Sequence, residues 1–337
     1  MRYNFFPLRR YLLLCALTLL LAACGGGGGG GSAAVDNAGG VQPTPTPVPV
    51  AAPAGDAIAS VPDSALVTPG NNSAEVNCPD ASAFSLSAPP APANGKIKGR
   101  ISFERVPFFA TPGQGLNYAN PQVLPARGIV VEALTPTDGA CSGPALATTL
   151  TDGDGWYELA VAAATPVCIR ARAQLYRAAD DNGSSWNFAV ADNTADNRLY
   201  ALIESGAASP AVRARRDLHA ASGWSSGDYR APRVAAPFAA LDTLCKTLDA
   251  VLAAKAPAQF GQLTVFWSDR NGDDKNLTLA QGNIGGTHFD PKTMAIYLRG
   301  DADVNADEFD EVVIAHEFGH FATQRFSRSD TIGGRHY

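Results

Sequence analysis

His316, Glu317 and His320 fall within the run His-Glu-Phe-Gly-His, and their types and spacing suit metal-assisted hydrolysis. On an α-helix, residues i and i+4 share a face one turn apart, so the two imidazoles can bind a single Zn2+. Glu317 follows roughly 100° round the helix from His316, which sets its carboxylate beside a bound water rather than among the ligands. The chemistry expected is cleavage of a peptide bond. The metal brings the water's pKa toward roughly 7, and the glutamate takes the proton and later delivers it to the leaving amine. A surface helix with two unrelated histidines is the plainer alternative. Against it, the chain has only 5 His, and Val312, Val313, Ile314, Phe318 and Phe321 make this helix apolar nearly all round. That pattern predicts burial, and a buried His-Glu-His cluster needs a partner.

A catalytic zinc needs a third protein ligand. The metzincins would place glycine at position 323 and histidine at 326, where this chain has Thr323 and Phe326, so that class is excluded. A gluzincin takes a glutamate from a following helix, yet no Glu occurs after Glu317. The surviving donors are Asp330 and His336, both on the segment after the helix. Upstream, Asp301, Asp303, Asn305 and Asp307 alternate like the start of a calcium loop. Ala306 stands where such a loop has glycine and Val312 where it has its closing glutamate, so this is not an EF-hand. Two readings remain: a looser Ca2+ site, or an acidic first turn in which Asp307, Glu308 and Asp310 complement the helix dipole and one Asp caps it. The capping reading is preferred. A second acidic turn, with Asp269, Asn271, Asp273 and Asp274, follows Trp267.

The elements that must position the motif are a helix and several strands. Phe238, Leu241, Leu244, Leu248, Val251 and Leu252 recur at spacings of three and four, which predicts a helix over 237–255 packed under the metal helix. Strands are expected at 186–193, running into an Asx turn, and at 262–267 and 294–298. The last two are the candidates to pair with an extended substrate, and ordinary core strands are an equal reading.

Residues 95–174 have a different character. Short β-like runs at 96–104, 128–134, 145–150, 155–161 and 166–173, separated by Pro, Gly and Asp turns, predict a small antiparallel sandwich. Asp152 and Asp154 either bind Ca2+ or form an Asp-Gly-Asp-Gly hairpin turn, and the turn is the simpler account. Gly-Lys-Ile-Lys-Gly-Arg-Ile at the start, Ala-Arg-Gly-Ile-Val-Val-Glu-Ala-Leu, and Thr151-Asp152-Gly153-Asp154-Gly155-Trp156-Tyr157 resemble the carboxypeptidase regulatory-like, transthyretin-like fold. That resemblance implies an accessory module without catalytic residues.

The N-terminus reads as an export signal over 1–23: Arg2, Arg9 and Arg10 precede an apolar run too short to span a bilayer comfortably. Leu21-Ala22-Ala23-Cys24 resembles the bacterial lipobox, which implies cleavage before Cys24 and lipidation of that cysteine. Gly25 follows it, and resemblance to Gram-negative lipoproteins implies the outer membrane. Residues 24–94, with seven consecutive glycines and a Pro-Thr-Pro-Thr-Pro run, are expected to form a disordered tether. Of the 6 Cys, Cys78, Cys141, Cys168 and Cys245 remain after Cys15 and Cys24 are set aside. An even count in an exported chain predicts disulfides, with Cys141–Cys168 the preferred pair. The net charge of −6, without a basic cluster beyond the extreme N-terminus, argues against a nucleic-acid partner.

The expected fold class is α+β: a small antiparallel β-sandwich, then a mixed zincin-like domain over 175–337, preceded by the tether. The part from Trp186 onward, with Arg-x-Ser-Arg-Ser-Asp-x-Ile-Gly-Gly after the metal helix, resembles bacterial exported proteins of the gluzincin-like type. In these the chain continues to a downstream glutamate, which implies that the catalytic domain here is incomplete. The expected function is a membrane-tethered zinc metallopeptidase acting on peptide or protein, with His316 and His320 as ligands and Glu317 as base. The alternative is a non-catalytic surface lipoprotein whose sandwich binds a partner and whose helix is degenerate.

Overall fold

A computed structural model of the chain describes residues 58–61, 96–138, 140–162, 165–178, 183–204, 209–210, 215–254, 256–302 and 306–327. The class is α+β, with far more sheet than helix. In chain order the strands are β1 (Ile58–Val61), β2 (Lys96–Arg105), β3 (Gln122–Pro125), β4 (Ile129–Leu134), β5 (Ala145–Leu150), β6 (Trp156–Ala160), β7 (Pro166–Arg177), β8 (Ser185–Asp192) and β9 (Arg198–Ile203). They continue with β10 (Ser209–Pro210), β11 (Leu218–Ala220), β12 (Trp224–Ser225), β13 (Asp228–Tyr229), β14 (Gln259–Trp267), β15 (His288–Asp290) and β16 (Ala295–Leu298). Helix α1 spans Ala236–Ala254 and α2 spans Glu311–Phe326. Among the described residues, no helix is long and apolar enough to cross a membrane.

The main sheet runs β15-β16-β14-β8-β9-β7-β4-β5. Its β14 lies parallel to both β8 and β16, while β7, β4 and β5 are antiparallel neighbours. A smaller sheet places β2 between β11 on one side and β3 and β6 on the other. Alternation along β2 turns Ile97, Ile101 and Phe103 into the core, where they join Val131, Ile169 and Ala171 from the main sheet. Strand β4 is buried at every position, as expected of a strand covered on both faces.

Two observations bear on how the chain is divided. Strand β7 crosses position 174 and pairs with β4 on one side and with β8 and β9 on the other. The sandwich segment and the segment after it therefore share one sheet. The tether expectation also needs correction at one place. Residues 58–61 form a strand antiparallel to β9, in register from Ile58 opposite Leu202 to Val61 opposite Leu199. The rest of 1–95 lies outside the described residues, including the signal segment and Cys24.

Helix α1 buries Phe238, Leu241, Leu244, Cys245 and Leu248. It packs on α2, as its apolar spacing predicts. The buried face of α2 is the stripe Ile314, Glu317, Phe318 and Phe321. Phe188 of β8 anchors it: its ring lies 5.6 Å from Phe318 and 5.9 Å from Phe321. The helix is not buried all round, because Val312 is 57% exposed and both histidines are half-buried. One flank of α2 faces solvent, and the apolar valine there simply stays wet.

Candidate functional site

Asp310 starts α2. Its backbone is extended (φ −80°, ψ 94°), and Oδ1 accepts from the amides of Val312 (2.9 Å) and Val313 (3.0 Å), satisfying two donors that the first turn leaves free. Its acidic neighbours do other work. The Thr287 hydroxyl donates to Asp307, and Arg233 Nη1 donates to Glu308 Oε1 at 2.7 Å. Glu311 reaches Arg105 Nη1 at 2.8 Å and Lys246 Nζ at 2.7 Å. The start of the helix is thereby tied to β2 and to α1.

One turn further on, His316 and His320 converge: their Nε2 atoms lie 3.1 Å apart and the rings stand nearly perpendicular, at 87°. Two nitrogens bound to one tetrahedral Zn2+ at roughly 2.0–2.1 Å each are roughly 3.3 Å apart, so this pair fits two of the four positions. Among the described residues, no group of three His, Cys, Asp or Glu completes such a set. Asp330 and His336, the donors considered for the third position, lie outside the described residues.

Glu317 is the polar member of the buried stripe, only 3% exposed. The Phe289 amide of β15 donates to its Oε2 at 2.8 Å. Burial pushes the carboxyl up to about 7, the Phe289 amide pulls it back, and the charge of Asp307 adds to the rise. Asp307 is itself raised, again chiefly by burial. A carboxyl near 7 can take and return a proton at neutral pH.

Among the described residues, the edge strand next to the motif is β15, which pairs with β16 alone. The two strands expected to offer an edge are both interior: β14 lies between β8 and β16, and β16 between β14 and β15. Sequence reasoning passed over His288–Asp290 because three residues cannot display a period. The only signal is a short run between Gly285-Gly286 and Pro291. The role of Phe289 is carried by its backbone, which no side-chain pattern announces.

Elsewhere, Cys141 and Cys168 are disulfide-bonded with Cα atoms 5.8 Å apart, and Cys245 is disulfide-bonded as well. Asp152 Oδ1 accepts from the amides of Asp154 and Trp156, each at 2.9 Å, and Gly155 takes φ +78°, so this segment is a hydrogen-bonded hairpin turn. The Asx turn after β8 is made by Asp192, whose Oδ1 accepts from the Thr194 amide at 2.8 Å.

No protein-family model matches the chain, and no curated protein matches it. Among solved structures, the 9R-lipoxygenase from Cyanothece PCC8801 is similar at 12% identity over 50% of this chain, with a TM-score of 0.19. The match spans 25% of that protein, and at this TM-score it carries no argument about fold or activity.

Proposed function

We propose that the chain is a membrane-tethered zinc metallopeptidase, a zincin-like domain joined to a carboxypeptidase regulatory-like β-sandwich and lipidated at Cys24 on the outer membrane. The observation that carries this reading is the convergence of His316 and His320 Nε2 to 3.1 Å on one turn of α2, with the Glu317 carboxyl near pKa 7 between them in sequence. His316 and His320 would hold the ion, which supplies a water acidic enough to ionise near neutral pH. Glu317 Oε2 stays fixed by the Phe289 amide, and its carboxyl takes a proton and passes it to the leaving amine. Phe318 and Phe321, packed on Phe188, keep the helix from turning and so fix the direction in which the flank carrying both imidazoles faces.

The test is metal content followed by peptide cleavage. Purified full chain should hold about one zinc per molecule, and His316→Ala should lose it. Glu317→Gln should keep the zinc and lower kcat by about 100-fold or more. The second reading is the non-catalytic surface lipoprotein, favoured by the deep burial of Glu317 against β15. It prevails if zinc is absent, or if Glu317→Gln leaves peptide cleavage unchanged.

A further inference from the structure

Beside the first turn of α2 lies a cleft of about 390 Å3, lined among others by Phe108, Tyr118, Trp224, Asp228, Tyr229 and Asp310. The three central rings form one packed wall: Tyr118 lies 4.3 Å from Trp224, and Tyr229 meets Trp224 edge-on at 5.0 Å. Phe108 at the lip is 42% exposed and bridged to Leu116, so the apolar surface of the cleft continues to its rim.

Charge distinguishes this cleft from an ordinary apolar groove. Asp310 makes no ion pair among the described residues, and its Oδ2 accepts no hydrogen bond there, because both capping bonds go to Oδ1. Asp228 has Arg230 at 3.5 Å, with both side chains more than half exposed, a contact worth little in water. The partial positive charge of the helix start, roughly half a unit, is smaller than the full charge of Asp310. Behind the wall, Glu308 is balanced by Arg233 and adds no net charge. The same aromatic set already holds a guanidinium, since Arg233 sits 4.4 Å above the Tyr229 ring. Aromatic faces and the Asp310 carboxylate share a preference for a cation with an apolar stem.

We propose that this cleft binds an arginine or lysine side chain of an extended peptide, with the head group at Asp310 and Asp228 and the stem against Trp224 and Phe108. As a substrate subsite it rests on the peptidase reading. Six residues separate Asp310 from His316, a rise of roughly 9 Å along the helix, and an extended peptide covers that in two to three residues. Because six residues also turn about a third of the way round the helix, the cleft selects a basic residue at least two to three positions from the bond cleaved.

The probe is a set of blocked pentapeptides, Ala-Ala-X-Ala-Ala with X as Arg, Leu or Glu, titrated calorimetrically into full chain with EDTA present so that nothing is cleaved. The arginine peptide should bind, and the glutamate peptide should not. Trp224→Ala should weaken binding by about tenfold or more, as should Asp310→Asn, which keeps a capping oxygen and so preserves the helix. Equal binding of all three peptides, no binding of the arginine peptide, or binding untouched by Asp310→Asn overturns the proposal. So does preferential binding of a neutral oligosaccharide, the other ligand that aromatic walls accept. Because binding is read without metal, a chain that holds zinc but ignores the arginine peptide sinks this site alone. One that binds the peptide but holds no zinc sinks the peptidase reading alone.

Discussion

Asp242 of α1 is 6% exposed and takes two guanidiniums, Arg127 on Oδ1 and Arg105 on Oδ2 at 3.1 Å, with Lys246 Nζ at 3.3 Å. Burial alone would raise its carboxyl, but the charges of Arg105, Arg127 and Lys246 outweigh it and hold the pKa below the usual range. Asp242→Asn leaves two buried cations short of their counter-charge and should lower unfolding stability by about 3–5 kcal/mol in denaturant titrations. Glu104 gives a pH-dependent case. Its carboxyl is lowered to about 2 by the neighbouring His219 ring, Nε2 3.7 Å from Oε1, and by bonds from the Ser222 hydroxyl (2.6 Å) and amide (2.7 Å). A depressed carboxylate adds stability above its unfolded value, near 4.5, and loses it as pH falls toward 2. The stability gap between wild type and Glu104→Gln should be present at pH 5 and should narrow through pH 4 and 3. A gap that widens on acidification contradicts the assignment. Neither residue stood out in the sequence, because partners more than a hundred positions away, such as Arg105 for Asp242 and Ser222 for Glu104, leave no local pattern.

At the scale of elements, α2 was legible where its signals are local. Asp310 before Glu311 and Val312 is a start signal that needs no tertiary partner, and the apolar spacing of α1 gave its bounds to within a residue. Asp310→Ala should cost about 1 kcal/mol of stability, read by thermal or denaturant unfolding, whereas Asp310→Asn should be nearly neutral. If both cost the same, the carboxylate's charge rather than the cap matters. What the sequence hid was the orientation of α2. Five apolar residues around the motif suggested complete burial, yet only Ile314, Phe318 and Phe321 among them face the core. Which side of an apolar helix meets the sheet is decided by Phe188 and Phe260, which are remote in sequence. Strand β15 was hidden for a related reason: its identity as a strand comes from β16 beside it, not from His288, Phe289 and Asp290 themselves.

For the molecule as a whole, the main question is whether the sandwich is a separable module. The strands of 95–174 were readable one by one from alternation and turn residues, but their neighbours were not, since β2 pairs in parallel with β11 more than a hundred positions on. Strand β7 belongs to both halves: its Gln174 to Arg177 pair with β8, while Arg170 to Arg172 pair with β9. Its buried Ala171 and Ala173 share one core with Phe188, Leu241 and Phe318. The described residues all fall within one compact unit, Gly55–His336. Cutting the chain after position 174 exposes that core and leaves the edge of β7 unpaired, a surface prone to aggregation. Residues 95–174 expressed alone, with the Cys141–Cys168 disulfide formed, should show no cooperative melting and poor dispersion of amide resonances, whereas the full chain melts in one transition. A fragment that melts cooperatively would instead establish the sandwich as an independent module. The ion pair from Glu311 to Arg105 would then join two separately stable bodies, so that Glu311→Gln in the full chain should loosen α2 while leaving the melting transition of the sandwich unchanged.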